Sequence, residues 1–137
     1  MTCYNCQECI KLAVESVINQ SYTNWELIIV DDCSTDNSWK IIESYQYHPN
    51  IIIKKNKINS GTYYSLNEAL KLTKGDYITK LDSDDVFDKN KLLNQVSFII
   101  GENLDVCTCN IVRGYKVGNR IQYIQEAKDS SIMFSRK

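Results

Sequence analysis

Trp25-Glu26-Leu27-Ile28-Ile29-Val30-Asp31-Asp32 is the stretch on which the fold turns. It is a short, nearly continuous apolar run, and such a run reads as a parallel strand covered on both faces rather than as an alternating surface strand. It closes on two carboxylates. Upstream, Asn5 followed three residues later by Glu8 has the form of a capping box, and Ile10, Ala13, Val14 and Val17 then recur at helical spacing to about Gln20. Downstream, Ser34-Thr35-Asp36-Asn37-Ser38 is rich in capping residues and precedes Trp39, Ile42 and Tyr45, predicting a second helix to about Tyr47.

Pro49 ends that helix, and Ile51-Ile52-Ile53 supplies a second β-branched strand. Ser60-Gly61-Thr62 opens a third helix with Tyr63, Leu66, Ala69 and Leu70 on one face and Gly75 as its stop. Tyr77-Ile78-Thr79-Lys80-Leu81 reads as a strand running into Asp82-Ser83-Asp84-Asp85, after which Asp88 caps a fourth helix carrying Leu92, Leu93, Val96, Ile99 and Ile100. The order predicts an α/β fold: an open, mostly parallel twisted sheet with helices on both faces. Residues 106–112 and 121–124 read as strands flanking the turn Lys116-Val117-Gly118-Asn119, a C-terminal hairpin. With no linker, repeat or low-complexity stretch, one domain over residues 1–137 is expected.

Composition narrows the function. Sixteen Lys and Arg against 17 Asp and Glu leave a net charge of −1, which gives no field to draw in a phosphate backbone or an anionic membrane, so nucleic acid is not an expected partner. No apolar run approaches the roughly 20 residues of a membrane span, and no basic stretch followed by an apolar segment marks a secretory signal. A soluble cytoplasmic protein is expected. In that setting the six cysteines (Cys3, Cys6, Cys9, Cys33, Cys107, Cys109) read as reduced thiols. A zinc or iron–sulfur site built on Cys3, Cys6, Cys9, Cys107 and Cys109 is the weaker alternative, because Cys6 and Cys9 fall on the helical face of Ala13 and Val17, where small apolar residues belong. His48, the only histidine, has no triad partner pattern.

In an open α/β sheet, ligands bind beyond the carboxyl ends of the strands, where Asp31-Asp32 and Asp82-Ser83-Asp84-Asp85 both fall. Clustered carboxylates repel unless a cation or hydrogen-bond donors offset the charge. In an extended segment Asp82 and Asp84 point to one side and Ser83 to the other. Two hard oxygen ligands suit Mg²⁺ or Mn²⁺, with phosphate oxygens and water completing the shell. The competing reading is a polar turn that caps the next helix. A phospho-receiver domain also carries acids at strand ends, but it needs its acidic pair after the first strand and a later Lys-Pro, and here a helix precedes Asp31 and Pro49 is the only proline.

Several ordered motifs together resemble the family 2 glycosyltransferases of GT-A fold: Thr2-Cys3-Tyr4-Asn5, Ser16-Val17-Ile18-Asn19-Gln20-Ser21-Tyr22, the segment Glu26 through Asp36, Gly61-Thr62-Tyr63-Tyr64-Ser65-Leu66-Asn67-Glu68-Ala69-Leu70, Lys74-Gly75-Asp76-Tyr77 and Leu81-Asp82-Ser83-Asp84-Asp85. The resemblance is strong over residues 2–95, and Ser130-Ser131-Ile132-Met133-Phe134 weakly resembles a later strand. It implies binding of a nucleotide-diphosphate sugar, UDP-linked in most of the family, and metal-dependent, inverting transfer of the sugar to an acceptor hydroxyl. By position, Thr2 and Tyr4 would line the nucleoside pocket, and Asp32, with Asp31, would accept a hydrogen bond from the base. Asp82 would lie near the ribose or the hydrated metal, and Asp84, or Asp85 in the other register, would coordinate the Mn²⁺ or Mg²⁺.

The sequence departs from the family pattern in three places. Met1 stands where the first strand should end, so that strand is expected to be missing and its neighbours to be covered by a second copy or another chain, a homo-oligomer. Leu66 takes a position that is commonly basic. The family's general base lies beyond a Ser-Ser-Ile-Met-Phe-like strand, and neither Glu126 nor Asp129 is assigned to that role. A truncated nucleotide-sugar-binding or accessory protein without turnover is the alternative function.

Overall fold

The computed structural model describes residues 1–117 and 120–135, with side chains through Cys109 and at Met133. Two compact units divide the chain: Met1–Gly75 with Leu81–Asn94, and Asp76–Lys80 with the residues from Gln95 onward.

The first unit holds a parallel sheet of β1 (Thr2–Cys3), β2 (Leu27–Asp31) and β3 (Ile51–Lys55), in that order. All five residues of β2 are buried, and the strand's period of two splits them between two cores. Leu27 and Ile29 pack with Ile10, Ala13, Val14 and Val17 of α1 (Ile10–Ile18) and with Ile42 of α2 (Ser38–Glu43), whereas Ile28 and Val30 pack with Ala69 of α3 (Thr62–Leu70). Helices on both faces thus follow from the continuous apolar run of β2. Ile29 and Val30 are fully buried, and each such side chain contributes roughly 1.5–3 kcal/mol of transfer free energy.

Four readings change. A first strand is present as the two-residue β1: Thr2 pairs with Val30 and Cys3 with Asp31. Val30 N–H donates to the Met1 carbonyl at 3.0 Å, Asp32 N–H to the Cys3 carbonyl at 2.8 Å, and the Met1 amino group to the Ile28 carbonyl at 2.8 Å. The capping box also fails. Helix α1 starts at Ile10 with no side-chain cap, because Asn5 sits at φ 52° and its Oδ1 accepts instead from Thr35 N–H at 2.9 Å and Thr35 Oγ1 at 3.2 Å. The buried face of α3 is Ser65 and Ala69, with Tyr63 84% exposed, since small side chains let the helix lie close to β2. Finally, α2 is shorter than expected and ends at Glu43.

In the second unit β4 (Tyr77–Thr79) pairs antiparallel with β6 (Arg120–Ser135), which pairs antiparallel with β5 (Val106–Val117), so the order is β4-β6-β5. The parallel arrangement therefore covers β1–β3, and the hairpin is longer than its apolar segments suggested. Its turn residues Gly118 and Asn119 lie outside the described residues. Helix α4 (Lys91–Gly101) begins in the first unit and buries Leu92, Val96 and Ile99, leaving Leu93 and Ile100 exposed.

Cys33 follows the strand-end acids at φ 64°, a left-handed conformation that costs a non-glycine residue roughly 1–2 kcal/mol. Its Sγ–H donates to the Lys57 carbonyl over a long 3.6 Å. Cys33→Gly is expected to raise stability by about 0.5–1 kcal/mol after the added unfolded-state entropy of glycine is deducted. A urea midpoint that falls instead would show that the Lys57 contact outweighs the backbone strain.

Candidate functional site

Loops leaving the carboxyl ends of β1, β2 and β3 are laced together by polar side chains, and the two acids at the end of β2, Asp31 and Asp32, face into that lacing. Asp31 is fully buried. Its Oδ2 accepts from Ser34 N–H at 3.0 Å and its Oδ1 from Ser34 Oγ–H at 2.5 Å, closing the turn after the strand. Ser34 Oγ in turn accepts from Asn5 N–H at 3.0 Å, which joins this turn to the loop after β1.

Asp32 is 3% exposed and reaches the other way. Its Oδ1 accepts from Asn56 Nδ2 at 2.7 Å and Ser60 N–H at 3.0 Å, and its Oδ2 from Gly61 N–H at 2.7 Å and Ser60 N–H at 3.1 Å. Burial pushes this carboxyl up, but the bonds from Asn56, Ser60, Ser65 and Gly61 outweigh it and hold Asp32 below its ordinary value. Asp32 thus fixes the entry of α3, where a carboxylate also meets the positive end of the helix. Asp36 behaves alike: burial raises its carboxyl, while Ser38 and Gln7 N–H bonds at 2.8 and 3.1 Å bring it below the ordinary range.

Thr2 is buried within β1, and Tyr4, one residue beyond that strand, is 47% exposed. The Asp82–Asp85 segment is a turn, not extended strand: Asp85 N–H donates to the Asp82 carbonyl at 3.1 Å. Ser83 is buried at its centre, Asp82 is half-buried, and Asp84 and Asp85 are exposed. The turn is tied to the loop after β1, where Cys6 Sγ and Ser83 Oγ lie 2.9 Å apart. Structure therefore brings Tyr4, Asp31 and the acidic turn to one region of the first unit, and turns Asp32 toward α3.

Among the described residues no three His, Cys, Asp or Glu side chains converge on one point. No preformed metal cage exists there. Asp82, Asp84 and Asp85, together on one turn, would supply the one or two carboxylates that a Mg²⁺-like cation takes, with phosphate and water completing its shell. None of the six cysteines forms a disulfide. Burial, with the neighbouring Cys6 and Asp31, pushes the Cys3 thiol up to about 12, the wrong direction for a thiolate ligand. His48 stacks on Trp25 at 5.6 Å. A cleft of about 410 Å³ along α1, lined by Leu12, Ser16, Val86 and Phe87 among others, contains none of the acidic strand-end residues.

Sequence reading missed Asn56, and it named Cys6 and Ser83 without pairing them. Asn56 directly follows β3, so the strand-end rule that selected Asp32 could have selected it as well. Nothing local marks the Cys6–Ser83 pair, which is separated by 77 residues.

The Glycosyl transferase family 2 model matches residues 1–137. The glucosyltransferase WfaP of Escherichia coli, named for transfer from UDP-Glc to α-D-GlcNAc-diphosphoundecaprenol, is 44% identical over 101 residues, covering 74% of this chain and 40% of WfaP. An uncharacterized glycosyltransferase of Haemophilus influenzae is 36% identical over 135 residues, 93% of this chain and 52% of that protein. Among solved structures, Staphylococcus aureus TarS 1–349 in complex with UDP superposes with a TM-score of 0.72 at 32% identity, over 77% of this chain and 32% of that one. The chain thus spans between a third and about half the length of these relatives. Its α/β architecture is that of the GT-A glycosyltransferases, and the chain belongs to glycosyltransferase family 2.

Proposed function

We propose that this chain is the nucleotide-sugar-binding part of a glycosyltransferase that moves a sugar from a UDP-linked donor to an acceptor hydroxyl, with a divalent cation and with inversion. The observation that carries the reading is the meeting of the β1, β2 and β3 loops with the Asp82–Asp85 turn, held by the Asn5–Thr35, Asn56–Asp32 and Cys6–Ser83 contacts. UDP in the TarS complex and UDP-Glc in the name of WfaP support a uridine nucleotide.

In this reading Thr2 and Tyr4 border the nucleoside, and Asp31 keeps the loop after β2 in shape through Ser34. Asp32 orders Ser60 and Gly61 at the start of α3 rather than offering both oxygens to the base. Asp84, with Asp82 and Asp85 beside it, holds the cation against the diphosphate. A bound divalent cation supplies Lewis-acid stabilisation of the charge that develops on the leaving diphosphate. The acceptor hydroxyl must lose a proton to a base within about 2.6–3.2 Å, and no residue of this chain is assigned to that step.

Calorimetric titration tests the reading. UDP is expected to bind the protein in the presence of Mn²⁺ and to bind far more weakly in chelator, with CMP weaker than UDP under both conditions. Equal affinities for UDP and CMP, or no effect of chelator, would overturn it. Cation-dependent UDP binding without transfer or hydrolysis of a UDP-sugar would favour the accessory reading.

A further inference from the structure

Cys6 stands at a junction to which the proposed reading gives no role beyond its contact with Ser83. Its N–H donates to Ser38 Oγ at 2.7 Å, at the first residue of α2. Its carbonyl accepts from Cys9 and Ile10 N–H, each at 2.9 Å, and so sets the entry to α1. Its Sγ–H reaches the Tyr4 carbonyl at 3.2 Å, while Sγ also lies 2.9 Å from Ser83 Oγ. One residue therefore touches the end of β1, the starts of α1 and α2, and the acidic turn.

We propose that Cys6 is a positioning residue for the cation-binding turn: through Ser83 it fixes the height and orientation at which Asp82, Asp84 and Asp85 meet the diphosphate. The inference rests on the nucleotide-sugar reading above. Its physical basis lies in the turn itself. Ser83 is the buried residue of the segment and Asp84 and Asp85 are exposed. The inward anchor thus decides where the outward acids stand. The three backbone contacts of Cys6 hold its Cβ in place whatever the side chain, so changing the thiol alters the anchor and spares the framework. A thiol reaches both the Tyr4 carbonyl and Ser83 Oγ from this position. An alanine reaches neither.

The test compares UDP binding in Mn²⁺ and in chelator for wild type, Cys6→Ala, Cys6→Ser, Ser83→Ala and the double Cys6→Ala/Ser83→Ala variant, alongside thermal unfolding. Residues that orient ligands without touching the metal typically change metal affinity 10–100-fold. Cys6→Ala is accordingly expected to lower the Mn²⁺-dependent gain in UDP affinity about 10-fold, leaving affinity in chelator unchanged. Cys6→Ser, which replaces the thiol donor with a hydroxyl, is expected to recover most of that loss. The double variant should be no worse than either single one, because both remove the same contact. Equal losses with and without Mn²⁺ would make Cys6 merely structural, and an additive double variant would break the link to Ser83; either result overturns the inference. Should Cys6→Ala fail to fold, Ser83→Ala carries the test from the other side of the contact. If wild type itself shows no Mn²⁺-dependent binding, the nucleotide-sugar reading falls and this inference with it. Wild-type binding with an unaffected Cys6→Ala removes the inference alone.

Discussion

Asp32→Asn is expected to cost about 2–3 kcal/mol of folding free energy, measured by urea unfolding at neutral pH, although it changes only one atom type. The reason is that both oxygens of Asp32 face donors. Oδ1 receives Asn56 Nδ2 and Ser60 N–H, and Oδ2 receives Gly61 N–H and the second branch from Ser60. Whichever way an asparagine side chain is turned, its NH₂ group meets an N–H, so at least one buried donor is left without an acceptor. Asp32→Ala should cost more, about 3–4 kcal/mol, because all of these donors lose their charged acceptor.

The same geometry gives a pH signature. The folded-state pKa of Asp32 lies below its ordinary value of 3.8, so the unfolded chain takes up the proton first as pH falls. Stability from this group is complete above the unfolded value and is lost as pH drops through the folded one. Wild type should therefore lose stability below about pH 4, and Asp32→Asn should lack that part of the acid limb. An Asp32→Asn protein as stable as wild type at pH 7 would mean that the carboxylate is not the tie between β2 and α3.

How far such details were legible depends on the distance over which each is decided. The two-sided burial of Leu27, Ile28, Ile29 and Val30 and the α1 face of Ile10, Ala13, Val14 and Val17 are decided by neighbours in sequence, and periodicity reads them correctly. Asn5 is different. Its local offer to cap α1 loses to Thr35, 30 residues away, because the loops after β1 and β2 must satisfy each other. The face of α3 is set by how closely it lies on β2, which favours Ser65 and Ala69 over the larger Tyr63. Likewise the partner of β4 is β6, more than fifty residues further on, and no window around Tyr77 contains it.

The candidate site divides in the same way. Strand-end logic found the acids, but not which way each one faces. Asp31 and Asp32 are adjacent and chemically identical, yet one closes a turn on Ser34 while the other organises Ser60 and Gly61. Alternation along the strand separates their directions, and only the placement of α3 reveals what Asp32 meets. In the Asp82–Asp85 segment the opposite facing of Ser83 and Asp84 follows from alternation, while the turn that closes Asp85 N–H onto the Asp82 carbonyl does not.

That turn makes Asp84→Ala the substitution with the largest expected effect on ligand binding: a loss of UDP affinity in Mn²⁺ of about 100-fold, against less than about fivefold for Asp85→Ala. A Mg²⁺-like cation at a diphosphate is held by only one or two protein carboxylates, so deleting one of them removes half or more of what the protein contributes. We propose Asp84 over Asp85 as the ligand because Asp84 directly follows the buried Ser83 anchor. Stability should barely move. Asp84 is exposed, so Asp84→Ala should leave the unliganded protein within about 0.5 kcal/mol of wild type. The distinguishing readout is the thermal shift on adding UDP and Mn²⁺ together. A ligand that binds only the folded state stabilises it in proportion to the logarithm of concentration over Kd, so wild type should gain several degrees and Asp84→Ala almost none. A full shift in Asp84→Ala with none in Asp85→Ala would move the cation ligand one residue along the turn. A full shift in both would remove the cation from these acids altogether.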